Sequence, residues 1–321
     1  MNLQLRPLRF TFLARQPVHF PPGKAANVIR GALGHTLRSA SCTPECPGAA
    51  PCPFRSDSAY ARLFEPTTPG QGPSGLTDWP RPFVLRAAHL DGLTFPPGAH
   101  FSLDINLFDL HPHAPLHLIR ALSQLADTGL GPGRGSVELT AVAIVSETDE
   151  PLQHLFENGK FQPFADLATV SITLNPSPAP IHTVTLDFLT PTEIKGISPY
   201  ATSIPFGTLF ARLRDRISNL RRLYGAGPLD VDYRQLGDLA NQITVHSANI
   251  HHDRIHRFST RHQQSHQLSG FRGQVTYSGD LGSLLPYVQA ANWTGVGKHT
   301  VWGNGRVLAL ANPAQSPSQS A

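Results

Sequence analysis

The sequence predicts an α+β protein that contains two similar domains in tandem. A helical pattern, a glycine-rich run and a strand pattern follow one another at residues 118–145, and the same order recurs at residues 283–310. Self-similarity across roughly the length of one domain indicates an internal duplication. The chain has 321 residues, enough for two domains of ordinary size. We therefore expect strands packed under helices in each half.

Apolar periodicity gives the elements of the first half. Alternating apolar residues are typical of a half-buried strand, and apolar residues three and four apart are typical of a helix. The expected elements are a strand over 3–13, a helix over 24–41, helical turns over 58–64, a strand over 101–108, a helix ending near residue 126 and a strand over 137–145.

The second half begins after a proline-rich stretch at residues 174–180, which we predict to be the linker. Residues 205–224 carry the clearest helical stripe in the chain, ended by Gly225. The other expected elements are a strand over 182–188, paired strands over 242–277, a helix over 283–291 and a strand over 306–310. We place the domains at residues 1–175 and 176–312, with a disordered tail at 313–321.

Composition excludes several classes of protein. No segment is long and apolar enough for a transmembrane helix, and the N-terminus lacks the apolar core of a signal peptide. We expect a soluble, cytoplasmic protein without a membrane partner. Residues 1–178 carry 13 Lys+Arg against 14 Asp+Glu, whereas residues 179–321 carry 13 against 8. A basic second half favours a polyanionic partner.

The run Gly295–Gly305 is the main functional motif, because glycine lets a backbone approach a phosphate closely. It is not an ATP-binding loop, since Asn292 stands at the position of the first glycine and His299 follows the lysine. Thr300 likewise breaks the dinucleotide-binding pattern. A glycine-rich surface turn without a ligand remains an alternative interpretation.

Four stretches together resemble the CRISPR-associated endoribonucleases of the RAMP superfamily, which trim precursor CRISPR RNA. The stretches are residues 29–38, the first glycine loop at 129–135, residues 257–281 and the C-terminal glycine loop at 295–305. The resemblance implies tandem ferredoxin-like (RRM-like) domains with antiparallel sheets and a C-terminal glycine-rich loop.

The resemblance also implies a function and partners. We expect a metal-independent endoribonuclease that binds CRISPR repeat RNA and cleaves precursor crRNA by 2′-OH attack, leaving a 2′,3′-cyclic phosphate and a 5′-OH. No cofactor is required for this chemistry. The alternative is a non-cleaving RNA-binding subunit of a CRISPR effector complex, and a ligand-binding protein unrelated to RNA is a third hypothesis. A homodimer is a further assembly to consider.

His35 is the expected catalytic residue, because family members often place a histidine on the first helix. Histidine suits general acid–base catalysis since its reference pKa lies near neutrality. Lys24 and Arg38 are candidates to stabilise the charge on the phosphate. The expected RNA-binding residues are Arg30, Arg134, Arg257, Arg261, Gly295, Gly297, Lys298, His299, Gly303 and Gly305. A surface or capping role is the alternative for His35.

Three cysteines offer a second hypothesis for His35. Cys42, Cys46 and Cys52 have a looser spacing than a common zinc knuckle, and a structural zinc would need a fourth ligand. His35 lies two helical turns before the first of them, so it is a competing candidate for that ligand. Reduced thiols in a loop are the simpler interpretation. The histidines of residues 246–266 lack a carboxylate cluster and do not predict a metal site.

Overall fold

The computed structural model describes residues 1–66, 79–198, 200–253, 256–259, 264–267 and 270–312. Within these ranges, two main antiparallel sheets each have helices packed against one face. None of the helices there combines the length and the apolar character that crossing a membrane requires.

The first sheet is built from the chain up to residue 173. Its strands lie in the order β3-β5-β1-β6-β7-β8, and β9 pairs with the first residues of β1. The elements are β1 (Asn2–Ala14), β2 (Val18–His19), α1 (Ala25–Ser41), α2 (Ala59–Leu63), β3 (Phe83–Arg86), β4 (Thr94–Phe95), β5 (His100–Leu107), α3 (Ala114–Ser123), α4 (Leu125–Thr128), β6 (Val137–Val145), β7 (Pro151–Glu157), β8 (Lys160–Phe161) and β9 (Val170–Thr173).

The second sheet begins at residue 183 and has the order β11-β14-β10-β15. Strands β12 and β13 form a separate two-stranded ladder. The elements are β10 (Thr183–Thr192), α5 (Phe206–Tyr224), α6 (Tyr233–Gln242), β11 (Thr244–Asp253), β12 (His256–Ser259), β13 (Gln264–Gln267), β14 (Gly270–Ser278), α7 (Leu285–Thr294) and β15 (Val307–Asn312).

Both halves follow the same β-α-β-β-α-β path. In the first half the path runs β1, α1, β3, β5, α3, β6, and in the second it runs β10, α5, β11, β14, α7, β15. Each sheet places its first strand in the middle, between the third and the fourth. This is the ferredoxin-like arrangement, so the predicted fold class is confirmed.

Each helix is held by the apolar stripe that predicted it. On α1, Ile29, Leu33 and Leu37 are buried in the first core, which also contains Phe10 and Phe12 of β1. Full burial of one such side chain contributes about 1.5–3 kcal/mol relative to exposure. The opposite face of α1 is therefore left to the surface, where it can carry a functional site.

The helices and strands expected from the sequence are present. The helix expected over 205–224 is α5, and its stripe from Phe206 to Leu220 is buried in the second core. The patterns did not predict α6, because Ala240 is its one buried residue. They also did not predict β3, since all four of its residues are buried and no alternation results. The expected tail at 313–321 lies outside the described residues.

The C-terminus of α7 anchors the second half to the first. The last carbonyl groups of a helix have no partner within the helix and must be satisfied from outside. Arg86 on β3 donates from Nη2 to the carbonyl oxygens of Asn292 and Trp293, the latter at 3.1 Å. Asn106 on β5 donates to the same Trp293 oxygen at 2.9 Å. Two strands of the first sheet therefore hold the end of a helix of the second domain.

A third donor completes this cap from within the second domain. Arg216 on α5 donates from Nε to the carbonyl oxygen of Thr294 at 2.8 Å. Burial, with the nearby charges of Arg306 and Arg216, lowers the pKa of Arg86 to about 9. Arg86 is still protonated at neutral pH, and the negative end of the helix dipole favours that charge.

We expect Arg86→Ala to lower the free energy of unfolding by about 1–3 kcal/mol, because it leaves buried carbonyl groups unsatisfied. Urea denaturation measures this change. Arg15→Ala is the matched control, since Arg15 forms an exposed ion pair with Glu138. Such a pair contributes at most about 1 kcal/mol. Equal, small effects of the two substitutions would contradict an anchoring role for Arg86.

Candidate active site

A cavity of about 950 Å³ lies between α1 and the first glycine loop. Its lining includes His35 and Arg38 from α1 and Arg134 from the loop. The structure therefore brings together four of the residues predicted for catalysis and RNA binding, because Arg30 of α1 also lines the cavity, and Arg134 comes from a distant part of the sequence. His35 together with Arg38 and Arg134 in a single cleft can supply proton transfer and positive charge to a phosphate.

His35 is exposed on the outer face of α1, opposite the buried Leu33 and Leu37. Gly31 lies one turn before it on the same face, and a Cβ atom at Gly31 would meet no other atom within 4 Å. The cleft wall beside the histidine is therefore bare backbone. A ligand can approach α1 more closely here than it could past a side chain.

Arg38 lies one turn after His35 and also supports the cysteine-containing loop. Its Nη2 atom donates to the carbonyl oxygen of Cys46 at 2.7 Å. This contact fixes the guanidinium in the cleft wall and leaves its other nitrogen atoms for a ligand. The structure therefore places Arg38 in the wall of the cavity, and its role in charge stabilisation stays a prediction.

Arg134 is carried by a tightly closed loop. The backbone N–H of Leu130 donates to the carbonyl oxygen of Gly135 at 2.9 Å, and the reverse bond is 3.0 Å long. A Cβ atom at Gly135 would lie 2.2 Å from the carbonyl oxygen of Pro17, so only glycine lets the loop pack there. The loop therefore presents Arg134 from a fixed backbone, with φ at +48°.

The C-terminal glycine loop repeats this construction. Val296 N–H donates to the carbonyl oxygen of Gly305 at 2.9 Å, as Leu130 does to Gly135. A Cβ atom at Gly297 would lie 2.2 Å from the carbonyl oxygen of Glu193. The internal duplication predicted from the sequence is thus visible in the loops themselves, and both loops have a structural function.

The Lys298 side chain of this second loop is paired within the protein. Its Nζ atom lies 2.6 Å from Oε1 of Glu193, and Nε2 of His299 lies 3.8 Å from the other carboxylate oxygen. The sequence analysis did not anticipate Glu193, because the residue lies far from the loop in sequence. The carboxylate competes with any phosphate for Lys298.

Arg30 joins the second loop to α1. Its guanidinium lies between the rings of Phe64 and Trp302, 4.6 and 4.8 Å from their centroids. Trp302 also packs against His299, with ring centroids 4.6 Å apart. Arg30 is a buried residue whose two planar faces are covered. The structure gives it a packing role between the two halves, beside the RNA contact predicted from the sequence.

Lys24 is not among the residues that line this cavity. It precedes α1 by one position and lies eleven residues before His35, or about 16 Å along the helix axis. Its predicted role in charge stabilisation stays a prediction. Arg257 lies on β12, and Arg261 is outside the described residues. Their predicted RNA contacts stay predictions.

The cysteines do not form a recognisable metal centre with His35. In the ranges given above, no group of three or more His, Cys, Asp or Glu side chains is arranged to hold a metal ion. Burial and a hydrogen bond with the Cys46 thiol raise the pKa of Cys42. The zinc site stays a prediction, which the metal content of the purified chain would test.

Comparison with known proteins finds one family match in each half of the chain. Residues 3–168 match the AF_1859_N N-terminal domain family, and residues 186–307 match the family of the CRISPR-associated endoribonuclease Cas6. The second half of the chain is therefore similar to the CRISPR-associated endoribonucleases. The family resemblance stated from the sequence is confirmed. No curated protein sequence matches the chain.

Solved Cas6 structures share the fold. A Cas6 product complex is 18% identical, with a TM-score of 0.55 over 96% of this chain and 100% of the other. Thermus thermophilus Cas6 is 17% identical, with a TM-score of 0.51 over 97% and 99%. A partial Cas6-RT-Cas1–Cas2 complex is 12% identical, with a TM-score of 0.55 over 98% of this chain and 47% of the other.

We expect two substitutions at Gly31 to have different effects, one on the stability of the fold and the other on access of RNA to the cleft. Gly31→Ala should raise stability by about 0.5–1 kcal/mol through helix propensity, since its Cβ meets nothing. Gly31→Met should keep the fold but weaken binding of repeat RNA, because its side chain fills the cleft beside His35. Circular dichroism and a gel shift measure the two properties.

Ala40→Met is the matched control, because Ala40 is exposed on α1 and does not line the cavity. It should bind RNA as the unmodified chain does. If Gly31→Met binds RNA with wild-type affinity, RNA does not contact this face of α1.

Proposed function

We propose that this chain binds CRISPR repeat RNA and cleaves precursor crRNA in the cleft between α1 and the first glycine loop. The observation that supports this proposal is the presence of His35, Arg38 and Arg134 in one cavity. The matched family is one of endoribonucleases, and a related structure is a Cas6 product complex. RNA cleavage needs a group that moves protons and cations that stabilise phosphate, and this cleft has both.

The proposed mechanism is attack of a ribose 2′-OH on the adjacent phosphate. His35 takes the proton from the 2′-OH while water gives one to the departing 5′ oxygen, or His35 gives that proton while water accepts the one from the 2′-OH. The charge that develops on the phosphate is stabilised by Arg134 and Arg38. The products are a 2′,3′-cyclic phosphate and a 5′-OH. His35 with water moves the protons and the two arginines stabilise the charge, so the proposal requires no metal ion.

The C-terminal glycine loop contributes differently in this proposal. Its backbone is packed against Glu193, and its lysine is held by the same residue. Lys298 is about half-exposed, so its ammonium can turn from the carboxylate to an RNA phosphate outside the cleft. The loop then adds affinity for the RNA flank, while Arg30 and Trp302 keep it docked on α1.

We expect His35→Ala to reduce the cleavage rate by on the order of 10²–10⁴-fold while repeat-RNA affinity stays nearly unchanged. Single-turnover cleavage and a gel shift measure the two quantities. His182→Ala is the matched control, because His182 is exposed and does not line the cavity. EDTA should leave the rate unchanged, and a 2′-deoxy ribose at the cut should abolish cleavage.

Normal cleavage by His35→Ala would show that a residue other than His35 is the general base. If the unmodified chain binds repeat RNA and yields no cyclic-phosphate product, the alternative of a non-cleaving RNA-binding subunit replaces this proposal.

The ion pair between Lys298 and Glu193 gives a second test. Glu193→Gln should release the lysine and strengthen RNA binding at low salt, whereas Lys298→Ala should weaken it. For single strands, losing one phosphate contact lowers the slope of log affinity against log salt by about 0.7. Salt titrations of both variants measure this slope. If the slope of log affinity against log salt is unchanged in both variants, the second loop does not bind RNA and has only a structural role.

A further inference from the structure

A second cavity, of about 420 Å³, lies on the face of the first sheet that is turned away from α1. Its lining includes Arg9 of β1 and Asp104 of β5, which alternate along their strands with residues of the first core. Asn292 of α7 and Arg306, the residue before β15, line it from the second domain. Among the described residues, none lines both this cavity and the cleft that contains His35. The two sites are therefore separate.

Three buried polar atoms of the residues that line this second cavity have no hydrogen-bond partner in the described part of the chain. They are Nη1 of Arg86, Nε of Arg306 and Oδ1 of Asn292. Arg86 as a whole is only 9% exposed. Nearly all buried polar groups in folded proteins have a partner. Three exceptions around one cavity indicate that a polar ligand completes it.

The charge beside these atoms indicates that the ligand is an anion. Burial and the nearby positive charge of Arg306 lower the pKa of Arg86, so two cations lie close together there. Neither of them forms an ion pair with a carboxylate in the ranges that the structure describes. Like charges repel each other more strongly in a buried site than in water. An anion that bonds to both guanidinium groups removes this repulsion.

The carboxylates of the cavity do not neutralise this pair. Asp104 and Asp149 are both bound to Arg9, with N–O distances of 2.8 and 2.6 Å. Glu147 lines the cavity as well, but it is exposed to solvent. The acidic side of the cavity therefore has its own arginine, whereas the side that contains Arg86 has no counterion among the described residues.

We propose that this cavity binds one inorganic phosphate ion, held by the guanidinium groups of Arg86 and Arg306 and by the side chain of Asn292. The ionised phosphate oxygens accept hydrogen bonds from Nη1 of Arg86 and Nε of Arg306. A phosphate hydroxyl donates to Oδ1 of Asn292. The ligand thus provides a partner for all three buried atoms, and guanidinium groups match the geometry of phosphate oxygens.

The need for a hydroxyl favours inorganic phosphate over other oxyanions. Inorganic phosphate keeps at least one hydroxyl at neutral pH. Sulfate and the phosphodiester of an RNA backbone have none, so they leave Oδ1 of Asn292 without a donor. A phosphomonoester loses its last proton with a pKa of about 6 and is mostly without a hydroxyl at neutral pH.

Bound phosphate stabilises the contact between the two domains. Arg86 caps the end of α7 through the carbonyl oxygens of Asn292 and Trp293, and the anion neutralises the charge of Arg306 beside this cap. The cavity has lining residues from both domains. A ligand that binds only the folded chain raises its stability as the ligand concentration rises.

Thermal unfolding of the full chain without RNA, in a phosphate-free buffer, tests the proposal. Sodium phosphate should raise Tm progressively, and more than sodium sulfate or sodium chloride at the same ionic strength. Sulfate is the matched control, because both oxyanions also stabilise proteins by exclusion from their surface. Equilibrium dialysis with radiolabelled phosphate should give one ion per chain at this site. Equal stabilisation by phosphate and sulfate at every concentration would overturn the proposal.

Variants then locate the bound ion. Arg306→Gln should raise the dissociation constant for phosphate at least about tenfold, because it removes a charge-assisted hydrogen bond. Arg306→Lys keeps the charge without the planar guanidinium, so its effect should be intermediate. Arg134→Gln, in the cleft that contains His35, should leave the dissociation constant unchanged, and circular dichroism confirms that each variant folds. Loss of phosphate binding in Arg134→Gln but not in Arg306→Gln would show that the ion lies in the other cavity, and the proposal would be wrong.

Repeat RNA distinguishes a free ion from an RNA contact. We expect the chain to retain its phosphate in dialysis when saturating repeat RNA is added. Release of the phosphate by RNA would assign the second cavity to the RNA backbone and would overturn the proposal.

Discussion

The end of α7 is the contact on which the arrangement of the cleft depends. Arg86 and Asn106 from the first sheet and Arg216 from α5 satisfy the carbonyl groups of its last turn. The C-terminal glycine loop leaves the helix directly after this turn, at Gly295. Because the helix end is fixed to the first domain, the loop that follows it has a fixed position against α1.

A chain of contacts leads from this anchor to the candidate active site. Trp302 of the loop stacks on Arg30, and Arg30 lies on the same helix as His35, one and a half turns earlier. Phe64 covers the other side of the guanidinium. The second domain therefore supports the helix that carries His35, although the charged lining beside that histidine comes from the first domain.

The duplicated loops show how one structural unit has acquired two uses. Both cap a helix with a glycine at positive φ, and both need a later glycine for a close backbone approach. The first directs Arg134 into the cavity. The second holds Lys298 against Glu193. The shared backbone is required for folding, and the side chains between the glycines determine what each loop can bind.

Much of the fold follows from sequence patterns, and much of the site does not. The periodic stripes of α1 and α5 predicted helices at the right places, since each stripe is buried as a unit. The patterns missed α6, which carries a single buried residue. His35 and Arg134 were found through a family resemblance.

The roles of Arg30 and Lys298 were not accessible from the sequence. A cation beside glycines gives the same sequence pattern whether it binds a phosphate or is already paired with a carboxylate of the protein. The partners are Trp302 for Arg30 and Glu193 for Lys298, and both lie far away in the chain. Tertiary structure alone shows which cations the protein already uses.

The most direct test of this account is a structure of the chain bound to repeat RNA with a 2′-deoxy ribose at the cleavage position. The account predicts that the scissile phosphate lies between α1 and the first glycine loop, with a His35 ring nitrogen about 2.6–3.2 Å from a reacting oxygen. Arg134 should contact the same phosphate. RNA bound on another surface, with the His35 cleft empty, would contradict the account.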